Sequence, residues 1–158
     1  MIDLHPIGTI HSPFTSIENM PIQPAGAAEV VGSVVVYPPY DQGLADLDGF
    51  SHVYLIYHFH AAVRTAMTVT PFMDSQPRGV FATRSPLRPN HIGLSIVRLL
   101  QVEGNRLQIA GVDILDGTPL LDIKPYIAPF DAVGESRHGW FRGDVTSVRQ
   151  KRSDDRFR

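Results

Sequence analysis

Glycine and proline interrupt this chain too often for long helices: together they supply 26 of its 158 residues. Each proline fixes φ and removes an amide donor, and each glycine lowers helix propensity. No stretch keeps a 3.6-residue apolar period over four turns. Between the breaks lie short runs rich in Val, Ile and Tyr, at residues 7–10, 29–37, 51–60, 94–102, 107–112 and 140–148. Five of the nine residues in 29–37 are valine, whose branched side chain favours the pleat. A short buried helix is the alternative there. In 51–60, Tyr54, Ile56, His58 and His60 fall on one face and Val53, Leu55, Tyr57 and Phe59 on the other. Such runs, separated by turn signals, predict an all-β fold, a small closed or nearly closed barrel with a few short helices. One or two helical turns are expected over 40–47. Residues 1–148 are expected to form the barrel domain and 149–158 a polar, frayed tail.

The length suits one domain and is enough for a core without staples. The chain has no cysteine, which excludes disulfides, thiolate zinc sites and a cysteine nucleophile. No apolar run reaches about 18 residues, so no membrane-spanning segment is expected. Residues 1–10 lack the basic-then-apolar order of a secretory signal, so the cytoplasm is the expected location. Charge is uneven: residues 1–136 sum to −6 and residues 137–158 to +4. Twelve of the 14 basic residues are arginine, which suits bidentate contacts to carboxylate and phosphate. A solvated basic tail and a phosphate-contacting surface both fit this distribution.

Two segments concentrate chemistry. Residues 79–95 set Arg84, Arg88 and Asn90 around prolines, between two apolar runs. A loop stiffened this way can aim polar groups at a ligand with little ordering cost. The alternative is a rigid surface connection whose arginines form local ion pairs. In residues 111–126, Asp116-Gly117-Thr118-Pro119 reads as a turn. Asp113 and Asp122 sit among Val112, Ile114, Leu121 and Ile123, where a carboxylate should be partly desolvated and need a partner. Lys124, Arg84 and Arg88 are candidates. His58 and His60 share a strand face, but no matching third ligand is evident, so no metal is expected.

These segments, with Ile7-Gly8-Thr9-Ile10-His11-Ser12-Pro13-Phe14, Pro21-Ile22-Gln23-Pro24 and the 50–60 strand, resemble the tRNA-methyltransferase O family of TsaA-like β-barrels. The resemblance covers roughly residues 5–148. It implies a homodimer that binds S-adenosylmethionine near the subunit interface and methylates N6 of the threonylcarbamoyl-modified adenosine beside the tRNA anticodon. Carried onto this chain, cofactor contacts fall on Gln23, Pro24, His60, Ala61, Arg84, Leu94, Asp113, Ile114, Leu115 and Asp116. Arg88, Asn90, Lys124 and Tyr126 are the substrate-binding candidates. Neither a membrane nor a metal is implied as a partner. The lack of a glycine-rich loop after a strand agrees with a cofactor site that is not Rossmann-like.

Two departures stand out. His91 occupies a place where the family usually has a second proline, which loosens the loop or adds a titratable group. The chain ends at residue 158, whereas longer members continue; if the extension grips tRNA, this chain must grip it otherwise or act elsewhere.

Methyl transfer from a sulfonium asks the protein mainly to align the two substrates. Arg84 would pair with the methionyl carboxylate, and Asp113 or Asp116 with the ammonium or a ribose hydroxyl. Ile114 and Leu115 would read the adenine edge. Tyr54, Tyr57 or Phe81 would face the sulfonium, although core packing explains these aromatics equally well. His60, His91 and Asp113 are candidate bases for the proton lost from nitrogen, with His60 and Asp113 placed first. Arg78, Arg88, Arg137, Arg142 and Lys151 are candidates for phosphate contact in an unpaired anticodon loop. Two alternatives remain: a methyltransferase of another RNA or a small molecule, and a cofactor-binding regulatory module without turnover.

Overall fold

The valine-rich and alternating runs form strands. The computed structural model describes residues 1–18, 20–22, 27–142, 152–154 and 156–157. In chain order the elements are β1 (Gly8–His11), β2 (Val31–Val36), β3 (His52–His58), β4 (Thr68–Val69), β5 (Arg78–Gly79), β6 (Ile92–Glu103), β7 (Arg106–Ala110), β8 (Thr118–Pro125) and α1 (Ala128–Asp131). Short 3-10 turns occupy Tyr40–Leu44, Leu47–Gly49 and Val80–Ala82. Six strands close a barrel in the order β1-β2-β7-β6-β3-β8, and all its pairings are antiparallel. Closure removes the sheet edges that an open structure of this size would have to protect.

The alternation expected over 51–60 is present in β3: Val53, Leu55 and Tyr57 point into the barrel. They meet Ile10, Val34, Val36, Val97, Leu107, Ile109 and Leu120 from the other strands in one core. The longest strand, β6, serves two neighbours. Ile92 to Arg98 pair with β3, and Arg98 to Glu103 pair with β7. Register shifts next to Leu100 in β6 and next to Leu121 in β8 bend the wall, as bulges do in small barrels.

The closing strand, β8, is absent from the sequence expectation. Pro119, Asp122 and Pro125 depress strand propensity. Tertiary pairing overrides it, because β8 fills the gap between β1 and β3. The strand expected at 140–148 does not appear at Trp140–Arg142, and 143–148 lie outside the described residues.

Within the expected tail, the described residues 152–154 and 156–157 have partners in the body of the chain. The Ser153 hydroxyl donates to the Ile17 carbonyl at 2.6 Å and accepts from the Met20 amide at 2.8 Å. The Arg156 guanidinium reaches the Pro71 carbonyl at 2.9 Å, and Phe157 lies 4.9 Å from the Phe72 ring centroid. Phe157 also packs on a second small core of Val69, Val80 and Leu87, beneath the arginine-bearing loop. Among the described residues no helix is long and apolar enough to cross a membrane.

Candidate functional site

At the end of the barrel where β3 finishes and β6 begins, a cavity of about 820 Å3 opens. That is within the range of small-molecule sites, roughly 300–1,000 Å3. Four walls come from different parts of the chain: Tyr57 and residues 59–62 at the end of β3, the 81–88 loop, the start of β6, and the segment joining β7 to β8. Ser153, Asp154 and Phe157 of the tail and Trp140–Phe141 also line the cavity.

The deepest polar feature is a hydrogen-bonded chain. Tyr57 points into the barrel over Gly93 of the neighbouring β6, and its hydroxyl lies 2.8 Å from Ser95 Oγ on that strand. Ser95 Oγ in turn donates to Asp113 Oδ1 at 2.8 Å. A serine hydroxyl has one proton, and here Asp113 takes it, so Tyr57 is the donor to Ser95. Burial, and then the Asp113 charge, push the Tyr57 hydroxyl far above the usual phenol range, so it remains protonated. Desolvation pushes Asp113 up to about 6, against the opposing Ser95 hydrogen bond and the nearby Arg84 charge. Asp113 therefore carries its charge at neutral pH at an energetic cost that a cationic ligand group would offset.

The 79–91 loop is held by its own hydrogen bonds. Thr83 Oγ1 donates to the Val80 carbonyl at 2.8 Å, and Arg88 donates to the carbonyls of Thr83 and Ser85 at 2.9 and 3.3 Å. Buried Leu87 anchors it below. His91 does not loosen this loop. Its backbone φ of 50° is closed to proline, its amide donates to the Arg88 carbonyl at 3.0 Å, and its ring lies 2.8 Å from the Pro86 carbonyl. A proline could make neither the amide bond nor this backbone turn.

Of the carried-over cofactor residues, His60, Ala61, Arg84, Leu94, Asp113, Ile114 and Leu115 all line the cavity. Asp116 is turned toward the chain after β1, where it accepts from the Ser12 amide at 3.0 Å and lies 3.3 Å from His11 Nδ1. Gln23 and Pro24 lie outside the described residues. The substrate candidates separate. Arg88 lines the cavity and Asn90 is exposed near the tip of the loop. Lys124 and Tyr126 sit on the outer wall instead: Lys124 is 3.5 Å from Asp122, and Tyr126 meets the Tyr54 ring edge-on at 5.9 Å. Arg78 pairs with Asp74 at 2.6 Å, Arg137 and Arg142 are exposed, and Lys151 lies outside the described residues. Among the aromatics named for the sulfonium, Tyr57 and Phe81 line the cavity, whereas Tyr54 pairs with Tyr126 on the outer wall. Among the described residues no cluster of three or more His, Asp or Glu side chains could hold a metal.

Sequence reasoning missed Ser95, Trp140 and the tail. Ser95 carried a usable signal: it lies on the inward face of β6, between Gly93 and Val97, where a polar residue needs a partner.

Residues 9–132 match the family model described as the tRNA-methyltransferase O N-terminal domain. A probable S-adenosyl-L-methionine-binding protein of Pyrococcus abyssi is 50% identical over 99% of this chain and 85% of its own length. The mouse tRNA (adenine(37)-N6)-methyltransferase is 38% identical over 80% of this chain, which covers 31% of that protein. The crystal structure of TrmO from Pseudomonas aeruginosa superposes with a TM-score of 0.75 at 42% identity, over 89% of this chain and 62% of that one. The chain thus spans less than two thirds of that structure and about a third of the mouse enzyme.

Proposed function

Since the chain belongs to the tRNA-methyltransferase O family, we propose that it is an S-adenosylmethionine-dependent methyltransferase acting on N6 of an adenine in tRNA. The finer reading is that the adenine is the threonylcarbamoyl-modified one beside the anticodon. The strongest support is the convergence of seven carried-over residues on one cavity, from four separated chain segments.

The donor set fits the cofactor. Arg84 and Asp113 place opposite charges in one cavity, where burial raises the Asp113 pKa and the Arg84 charge partly opposes that rise. That pair matches the carboxylate and ammonium of an amino-acid zwitterion. Ile114 is buried and Leu115 half-buried, with their carbonyls already accepting from the Ser12 and Thr118 hydroxyls; what they offer an adenine is a cavity wall shielded from bulk water. S-adenosylmethionine supplies a methyl group already activated by the positive sulfur. The protein's part is to hold the acceptor nitrogen in line and to take the proton that N6 releases. In this reading His60, exposed at the cavity, accepts that proton, and Asp113, bonded to Ser95, serves the cofactor end.

Arg84→Ala is expected to weaken cofactor binding about 10- to 100-fold, as loss of a charge-assisted hydrogen bond does. Calorimetric titration checks this, and an unchanged affinity would remove Arg84 from the cofactor site.

We include a homodimer in the proposal. Ile92, Leu94 and Ile96 stand exposed in a row on the outer face of β6, and half-buried Ile56 and Tyr54 continue it across β3. Ile92 and Leu94 also line the cavity, so a second copy seated on this row would border the cofactor. Light scattering should give a dimer that Ile96→Asp dissociates; a monomeric wild type would contradict it. A cytoplasmic location follows from the tRNA substrate.

The name of the Pyrococcus abyssi relative favours a second reading, a module that binds the cofactor without turnover. Nucleoside mass spectrometry on tRNA from cells with and without the protein separates the two. A methyl group lost from the modified adenosine and restored by wild type, not by Arg84→Ala, supports the enzyme; an unchanged profile favours the module.

A further inference from the structure

Trp140 is the only tryptophan in the chain, and neither the motifs nor the cofactor chemistry accounts for it. Its indole Nε1–H donates to the Ala82 carbonyl at 2.7 Å. That bond pins the ring against the Val80–Ala82 turn, which opens the arginine-bearing loop. In the same turn Phe81 is 73% exposed, a large aromatic held out in solvent by a turn whose other side is anchored by buried Val80. Phe141 meets Trp140 edge-on, with centroids 6.1 Å apart. All three rings line the cavity that holds Arg84 and Arg88.

We propose that Trp140, with Phe81 beside it, is the stacking subsite for an unpaired purine base of the RNA substrate; this deepens the methyltransferase reading and rests on it. Trp140 is half-buried at the cavity, and a ring held by its Nε1–H has little rotamer freedom left to lose on meeting a planar ligand. Exposed Phe81 and half-buried Trp140 at a cavity lined by Arg84 and Arg88, with Arg137 and Arg142 exposed in the flanking chain, suit a polyanion that carries aromatic rings. An apolar peptide or lipid would gain nothing from those cations. No cofactor candidate comes from residues 138–142, which leaves Trp140 for the second substrate.

Because the chain has one tryptophan, its fluorescence reports on this subsite alone. Protein saturated with S-adenosylhomocysteine would be titrated with an anticodon stem-loop RNA, following tryptophan emission and, separately, anisotropy of a labelled copy of the RNA. Emission should fall along the anisotropy curve, and an abasic site at the target adenosine should abolish the fall. Trp140→Leu should weaken RNA binding by roughly 5- to 100-fold, the worth of one base stack, and Trp140→Phe should recover most of it. Cofactor affinity, measured in the same variants, should hold. RNA binding with unchanged emission, or equal RNA affinity in Trp140→Leu, would overturn the subsite. So would emission that falls with S-adenosylhomocysteine and not further with RNA, which would give the ring to the cofactor. Failure of wild type to bind the RNA at all would overturn the function reading itself, and the subsite with it.

Discussion

Replacing Gly93 with alanine is expected to lower the melting temperature by about 5–15 °C, a loss of roughly 2–4 kcal/mol. Gly93 on β6 is the direct cross-strand partner of Tyr57 on β3. A Cβ there would come within 2.8 Å of three Tyr57 ring carbons. The ring cannot simply turn away, since its hydroxyl is bonded to Ser95 and it packs edge-on against Phe59 at 5.4 Å. Either the strands separate or Tyr57 leaves, and both break the chain that holds Asp113. The same variant should therefore lose cofactor affinity even below its melting point. Calorimetry of the folded variant checks both effects. An unchanged melting temperature would mean that the Tyr57 ring is not seated on Gly93.

Asp113→Asn should separate stability from function. The carboxyl sits at about 6 in the folded protein, against about 3.9 in an unfolded chain. The folded state thus binds the proton more tightly. Stability contributed by the protonated group is complete below about pH 4 and is lost as pH rises through about 6. At neutral pH the wild type bears a cost of up to about 3 kcal/mol, at 1.36 kcal/mol per pH unit. Asparagine keeps an acceptor for Ser95 and carries no charge, so the variant should melt higher at pH 7.5 and match the wild type near pH 4. It should also lose most of its cofactor affinity, because the ammonium partner is gone. A variant less stable than wild type at every pH would mean that the carboxylate is held for structure.

The sequence-level reading reached the barrel because five of its strands announce themselves. Valines crowd β2, and β3 alternates cleanly in and out. It failed at β8, where prolines and an aspartate argue against a strand and only closure of the barrel explains one. The site was legible where charge sits among apolar neighbours, as at Asp113, or between prolines, as at Arg84. It was illegible where function depends on contacts between segments distant in the chain. Lys124 and Tyr126 look like continuations of the Asp113–Asp116 motif, yet β8 carries them over the outside of the barrel. The tail looks unstructured from composition, yet Ser153 and Phe157 gain partners more than 80 residues away.

The most direct test of the central claim is methyl transfer in vitro. Purified protein would be incubated with methyl-labelled S-adenosylmethionine and tRNA carrying the threonylcarbamoyl modification, and the digested nucleosides analysed by mass spectrometry. The account predicts label on N6 of the adenosine beside the anticodon, and none with Arg84→Ala. Cofactor that binds wild type tightly while tRNA stays unlabelled would contradict it.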